Sequence, residues 1–551
     1  MSRHKSGPGA SLTEYEAITP RSHSPISSVW NSVPAEFRLP DGQPDYLRMI
    51  LCSRVYEVMD ETATTPAPGL STKCGVEVML KREDTSPVFS FKLRGAYNKI
   101  AQVPPEDRWK GVIACSAGNH AQGVAYGARQ LGMPATIVMP KGTPAIKHEN
   151  VSRLGSKVVF FGDDFDGAKA ECQRLSLKHE LLMIPPFDDP FVIAGQGTIA
   201  MEILRQVPIH KINTIYACIG GGGLLAGLSV YIKRVAPHIR IVGVETYDAN
   251  AYYQSRKKGS RVVLSDVGVF ADGTAVKVVG EETFRLLQEN VDDIVLVNTD
   301  ETCAAMKDIF EDTRAVVEPS GALAAAGMKR YLEEHPEIVE QGGVHIPIVS
   351  GANMNFDRLR FVAERAVLGE GGEVLMLVKI PERHGEFMKL INIIYPRNVT
   401  EFAYRYSDNP QQPAHIFMSF SVTDREAETK EVQRKLEENG MSGTDISDNE
   451  LAKTHGRYLL GGRAHVPNEK MFRFEFPERP GALHKFLTTL NTSWNISLFH
   501  YRNYGADVGQ VLAAWSVPPE EEDLLEKFLV DLNYRYIEET DNIIYNMLLC
   551  E

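Results

Sequence analysis

Ser90-Phe91-Lys92-Leu93-Arg94-Gly95-Ala96-Tyr97 decides how the first half of the chain is read. Upstream, Val76-Glu77-Val78-Met79-Leu80 alternates like a strand. Lys81-Arg82-Glu83-Asp84 then opens a polar loop containing Pro87, and Leu93 to Ile100 fits a short helix. Lys92 therefore stands where a loop meets a helix N-terminus. Backbone N–H groups and the helix dipole disfavour a cation there. A lysine so placed is tuned toward the neutral amine that forms Schiff bases. Taken by itself, the segment more often means a solvated lysine at a helix start, because lysines are mostly exposed.

Three further segments shift that balance. Cys115-Ser116-Ala117-Gly118-Asn119-His120-Ala121-Gln122-Gly123 follows the apolar run Val112-Ile113-Ala114 and precedes a small-residue helix from Val124 to Leu131. A strand, a tight polar turn and a helix start offer backbone donors to an anion such as a substrate carboxylate. Asn119 adds a side-chain amide; an ordinary capped loop is the common alternative. Gly220-Gly221-Gly222-Gly223-Leu224 lies between a buried-strand pattern, Thr214 to Ile219, and a helical one, Leu224 to Ile232. Four glycines let the backbone close around a phosphate with its N–H groups inward. The spacing is neither Gly-x-Gly-x-x-Gly nor Gly-x-x-x-x-Gly-Lys-Ser/Thr, which weakens the dinucleotide and nucleoside triphosphate readings. A membrane span needs ~20 apolar residues, more than Tyr216 to Ile232 supplies. Val349-Ser350-Gly351-Ala352-Asn353 closes the apolar run Ile346-Pro347-Ile348-Val349. Ligands of open parallel sheets sit at such strand C-termini, although a lone serine means little.

Together these segments resemble the pyridoxal-phosphate enzymes of the tryptophan-synthase-β fold type, and within them the biosynthetic threonine deaminases (threonine ammonia-lyases). Lys81-Arg82-Glu83-Asp84, Ser90 to Ala96, Ser116 to Gly123, the four glycines, Glu318-Pro319-Ser320-Gly321-Ala322 and Ser350-Gly351-Ala352-Asn353 carry the resemblance, which runs from about Pro44 to the C-terminus. It implies that Lys92 holds pyridoxal 5'-phosphate and is catalytic, with Phe91, Asn119, Gly220, Gly221, Gly222, Gly223, Leu224 and Ser350 also binding the cofactor. Asn119 would bond its ring hydroxyl, the glycines its phosphate, and Ser350 its pyridine nitrogen. Ser116, Ala117, Gly118, Asn119 and His120 would hold the substrate. The implied reaction is β-elimination of L-threonine to 2-oxobutanoate and ammonia, the first step toward isoleucine, with L-serine a possible second substrate. The alternative is a serine/threonine dehydratase paralogue of specialised metabolism. Serine racemases share much of the catalytic set but lack the long C-terminal region.

Composition agrees with a large multidomain enzyme: 551 residues, net charge −13 and 43% hydrophobic residues. The acidic balance argues against general nucleic-acid binding. Seven cysteines without Cys-x-x-Cys spacing point to a reducing compartment and no structural zinc. Residues 1–43 are rich in Ser, Pro and basic residues and read as a flexible tail. A weak mitochondrial presequence is disfavoured by Glu14 and Glu16. With no secretory signal, the expected location is cytoplasmic or the mitochondrial matrix.

From residue 44 to 370 apolar strands alternate with helical patterns, as in Ala135-Thr136-Ile137-Val138-Met139, Lys157-Val158-Val159-Phe160-Phe161 and Arg240-Ile241-Val242-Gly243-Val244. That predicts an α/β, two-lobed catalytic domain with parallel-sheet cores. Gly371-Gly372 marks a hinge, and a repeat follows. Ile380-Pro381-Glu382-Arg383-His384-Gly385 matches Phe476-Pro477-Glu478-Arg479-Pro480-Gly481, and Phe402-Ala403-Tyr404-Arg405 matches Phe499-His500-Tyr501-Arg502, slipped by one residue. Such repeats predict paired domains that bury a shared face. They resemble the family's α+β ACT-like regulatory domains, here 373–465 and 469–551. Tyr404, Arg405, Tyr501 and Arg502 are the candidate effector residues: Arg suits a carboxylate and Tyr packs an aliphatic chain. The resemblance implies isoleucine, and valine beside it, as effectors, and a homotetramer; a dimerisation module without ligand is the alternative.

Overall fold

The apolar runs of the first half become strands of two sheets. In the larger, Asp293–Val297, Arg240–Thr246, Ile212–Cys218, Val344–Val349, Glu77–Arg82 and Thr64–Pro66 lie side by side in that order. All neighbours are parallel except the last pair. The smaller sheet orders Lys157–Phe160, Ala135–Met139, Val112–Cys115 and Leu182–Met183, all parallel. Helices follow most strands because parallel neighbours need a crossover. The computed structural model describes residues 15–17, 27–30, 32–381, 386–404, 413–456, 466–477, 485–486, 489–490, 494, 496–502 and 508–549. These strands belong to a unit ending at Asn355; a second unit begins at Phe356.

Part of the expected tail is built into the first unit. Val33 is buried, the Phe37 ring meets Phe191 edge-on, and Trp30 Nε1 donates to Glu282. Composition hid this, because isolated apolar residues among Ser and Pro have no period. The polar loop expected from Lys81 is also different. Lys81 and Arg82 complete the strand Glu77–Arg82, and Lys81 and Glu83 are fully buried. They belong to a closed charge cluster. Arg94 Nε donates to Glu83 at 2.7 Å and Arg94 Nη1 to Glu202 at 2.5 Å. Lys81 Nζ reaches Glu202 at 2.6 Å, and Thr62 Oγ1 donates to Glu83 at 2.6 Å. Opposite charges make each other's burial tolerable.

The second unit holds the repeat as two four-stranded antiparallel sheets. The first is ordered Val399–Tyr404, Ala414–Ser421, Glu373–Ile380, Ser442–Asp445; the second Ile496–Arg502, Val508–Ser516, Glu469–Pro477, Arg535–Glu538. Tyr404 pairs with Ile416, which pairs with Val378; Tyr501 pairs with Val511, which pairs with Phe474. Both outer strands break register near their start, between Val399 and Glu401 and between Ile496 and Leu498. The one-residue slip in sequence is therefore absorbed in the connections, and the strands superpose position for position. Leu375, Leu377 and Phe417 of the first sheet and Met471, Leu512 and Ala514 of the second share one apolar cluster. This is the shared face the repeat predicts. Among the described residues, no helix is long and apolar enough to cross a membrane, and no group of three or more His, Cys, Asp or Glu could hold a metal ion.

Candidate active site

Lys92 opens the helix Lys92–Ile100. Close backbone approach fixes that helix. A Cβ on Gly95 would lie 2.7 Å from the Val192 carbonyl oxygen, one on Gly195 2.7 Å from Gly95 Cα, and one on Gly123 3.1 Å from the Lys92 carbonyl carbon. The helices Asn119–Gln130 and Pro190–Gln206 thus touch the lysine's helix backbone to backbone. Lys92 Nζ donates to the Pro186 carbonyl at 3.0 Å and sits 5.2 Å from the centre of the Phe91 ring. Burial pulls its pKa down to about 8, against the opposite influence of Cys218 and Glu318. The tuning expected from sequence is present, but burial is its leading cause.

Lys92 opens into a cavity lined also by Phe91, Asn119, Gly221, Gly223, Leu224 and Ser350. The glycine loop reaches it by a route only glycine follows easily, with φ +54° at Gly220 and +94° at Gly222. A Cβ on Gly221 would fall 2.2 Å from the Phe187 ring. The Gly221 carbonyl accepts from Thr283 Oγ1 at 2.7 Å and from the Gly280 N–H at 3.3 Å. This leaves the first-turn N–H groups of the helix Gly223–Val235 beside the cavity, a favourable place for an anion.

Ser350 follows the strand Val344–Val349. Its hydroxyl donates to the Ser320 carbonyl at 3.1 Å and accepts from the Cys218 thiol at 3.6 Å. Ser320 Oγ, buried in the same lining, has no hydrogen-bond partner among the described residues. A buried orphan hydroxyl, an amine with a lowered pKa and a glycine cradle at a helix start form a donor set that fits pyridoxal phosphate: aldehyde, ring and phosphate each have a matching group.

Ser116, Ala117, Gly118 and Asn119 are half-buried in the turn before Asn119–Gln130. The Gly118 N–H bonds Ser116 Oγ at 3.3 Å. Asn119 Nδ2 donates to Glu318 at 2.6 Å. The His120 ring turns into the protein instead and bonds the Ile184 carbonyl at 2.8 Å. Burial, with Lys92 nearby, pushes its pKa down to about 3, so it is neutral. His120 can therefore offer an anion in the turn only its backbone N–H. Arg405 lies outside the described residues, as do the side chains of Tyr404, Tyr501 and Arg502; the backbones of these three are in strands. Sequence reasoning passed over Phe187, Cys218, Thr274, Glu318 and Ser320, which also line the cavity. Glu318 and Ser320 stood in a motif quoted for the resemblance, but no spacing rule placed them at the site.

Residues 56–344 match the model of the pyridoxal-phosphate dependent enzymes. Residues 364–455 and 460–549 each match the C-terminal regulatory domain of threonine dehydratase. The chain is 59% identical over 517 residues to the mitochondrial threonine dehydratase of Saccharomyces cerevisiae, covering 92% of this chain and 90% of that protein. It is 47% identical over 511 residues to the biosynthetic L-threonine dehydratase of Escherichia coli, covering 93% and 98%. Among solved structures, it is similar to the processed form of threonine deaminase isoform 2 from Solanum lycopersicum, with TM-score 0.57, 43% identity, and 65% of this chain and 93% of that one covered. Maize serine racemase is similar at TM-score 0.54 and 31% identity, covering 59% of this chain and 97% of its own.

Proposed function

The chain belongs to the pyridoxal-phosphate-dependent enzymes, in the threonine dehydratase branch that carries the C-terminal regulatory domain, and we propose on that premise that it converts L-threonine to 2-oxobutanoate and ammonia. Lys92, its amine recessed between Phe91 and the Pro186 carbonyl, carries this reading. When bound, the cofactor supplies the electron sink that makes the substrate Cα–H acidic. Lys92 would hold the cofactor and, with substrate bound, take the Cα proton at Nζ. The first-turn N–H groups after the glycine loop bind the phosphate, and those of the Ser116–His120 turn orient the substrate carboxylate. Ser350 offers a hydroxyl where a carboxylate would hold a proton on the ring nitrogen. The threonine hydroxyl leaves as water, and water returns when the amine nitrogen is released as ammonia. Keto-acid release from L-threonine and L-serine in parallel tests the assignment. The expected result is a higher kcat/KM for L-threonine; serine turnover without threonine turnover overturns it.

Ser350→Asp should slow elimination and yield new side products, because a carboxylate favours the protonated ring and a longer-lived carbanion. Product analysis by mass spectrometry checks this. An unchanged rate with no new product counts against Ser350 as the ring partner.

The reading extends to regulation. Isoleucine binds the C-terminal repeats and favours a low-activity state of a homotetramer, with valine as a second effector. The enzyme works in the mitochondrial matrix or the cytoplasm as the first step toward isoleucine. The equivalent register of Tyr404 and Tyr501 supports Tyr404, Arg405, Tyr501 and Arg502 as the effector residues. An effector acts only through differential affinity for two states. Arg502→Ala should weaken isoleucine inhibition roughly 10-fold, the scale of one lost charge-assisted contact, with basal activity retained. Isoleucine titrations of both proteins decide it: equal responses place the effector elsewhere.

A further inference from the structure

Asn119 is held on two sides. Asn353 Nδ2 donates to the Val88 carbonyl at 2.8 Å and to Asn119 Oδ1 at 2.7 Å. A backbone carbonyl can only accept, so Asn353 must present its nitrogen there, and the same nitrogen meets Asn119. On the other side, Asn119 Nδ2 donates to Glu318 Oε1 at 2.6 Å. Glu318 is buried just before the helix Pro319–Glu334. Gly351 makes room for its carboxyl, since a Cβ there would stand 2.8 Å from Oε1. The unambiguous Val88 carbonyl thus sets Asn353, and Asn353 and Glu318 set Asn119. An amide nitrogen has two hydrogens; Glu318 takes one, and the other is left for the cavity that Asn119 lines.

We propose that Glu318 and Asn353 are positioning residues that fix the flip of the Asn119 amide, so that the cofactor meets its NH2 and not its carbonyl. The proposal rests on the reading that Asn119 contacts the cofactor's ring oxygen. A flipped amide would set two lone-pair-bearing oxygens against each other. Burial, with Asp272 adding to it, raises the Glu318 pKa to about 8. The neutral acid still accepts from Asn119, so the acceptor and not the charge is the feature required.

The test is the absorbance maximum of bound pyridoxal phosphate and its Kd by titration, in full-length wild type and in Asn119→Ala, Asn353→Asp, Glu318→Gln and Glu318→Leu. Asn353→Asp keeps the shape but replaces the donor with acceptors. It should displace the band in the same direction as Asn119→Ala and weaken cofactor binding roughly 10-fold. Glu318→Leu should do the same, and carries the test if Asn353→Asp does not fold. Glu318→Gln keeps a neutral acceptor and should retain the wild-type band, with Kd within about 3-fold. A wild-type band in both Asn353→Asp and Glu318→Leu, beside a displaced band in Asn119→Ala, overturns the proposal and leaves the Asn119 contact standing. Equal damage from Glu318→Gln and Glu318→Leu also overturns it. A wild-type band in Asn119→Ala removes the contact itself, and the proposal with it.

Discussion

Lys92→Ala should lose keto-acid production by ~10³-fold or more while the protein stays folded. Both halves follow from the same geometry. The amine is the one group in the proposed mechanism asked to do two jobs, holding the cofactor and taking the Cα proton. Loss of a positioned proton acceptor typically costs ~10²–10⁴-fold, and loss of the covalent anchor adds to that. Structurally the amine gives little. Its hydrogen bond to Pro186 is offset by the burial that lowers its pKa to about 8. The melting temperature should therefore hold or rise. Initial rates from threonine and a melting curve on the same preparation check both statements. Turnover within ~10-fold of wild type would remove Lys92 from the mechanism.

Arg94, two residues further on, should show the reverse pattern. Its side chain is fully buried and binds Glu83 and Glu202 together. Burial works to raise the Glu202 carboxyl, yet Arg94 and Lys81 overcome it and hold Glu202 below the usual carboxylate range. Arg94→Leu removes the shared cation. Lys81 still covers Glu202 at 2.6 Å, so Glu83 loses its hydrogen-bonded cation and keeps Lys81 as a neighbouring charge and Thr62 as a hydroxyl donor at 2.6 Å. Breaking a buried ion pair from one side costs ~3–5 kcal/mol. The urea midpoint of the first unit's transition should fall accordingly, or the variant should be recovered insoluble. Arg205→Leu, which breaks an exposed pair with Glu61 in the same unit, should move that midpoint little. Equal effects of the two substitutions would contradict the role given to burial.

The contrast between Lys92 and Arg94 shows what sequence can carry. Strands such as Ala135–Met139 and Arg240–Thr246 were legible because buried parallel strands are continuous apolar runs. The loop-to-helix place of Lys92 and the glycine loop were legible because turn chemistry and backbone freedom are local properties. The C-terminal repeat was legible down to the equivalence of Tyr404 and Tyr501, since matched motifs keep register even where connections differ. Lys81 belongs to the strand and not to the expected loop, and the burial of Lys81 and Glu83 is not legible in the sequence. Their partner Glu202 is remote in sequence, and charge on its own reads as exposure. Phe187 and Glu318 were passed over at the site for the same reason: they reach the cavity only through tertiary packing. The ring of His120 points away from the turn because the Ile184 carbonyl, also remote, captures it.

In this mechanism one lysine, Lys92, holds pyridoxal phosphate in the cavity. Borohydride reduction of the protein loaded with cofactor, followed by peptide mapping by mass spectrometry, tests it most directly, because reduction makes the link permanent on whichever lysine carries it. The expected result is a single phosphopyridoxyl adduct on the peptide containing Lys92, lost when L-threonine is added before the reductant. An adduct on another lysine, with the Lys92 peptide unmodified, would contradict it.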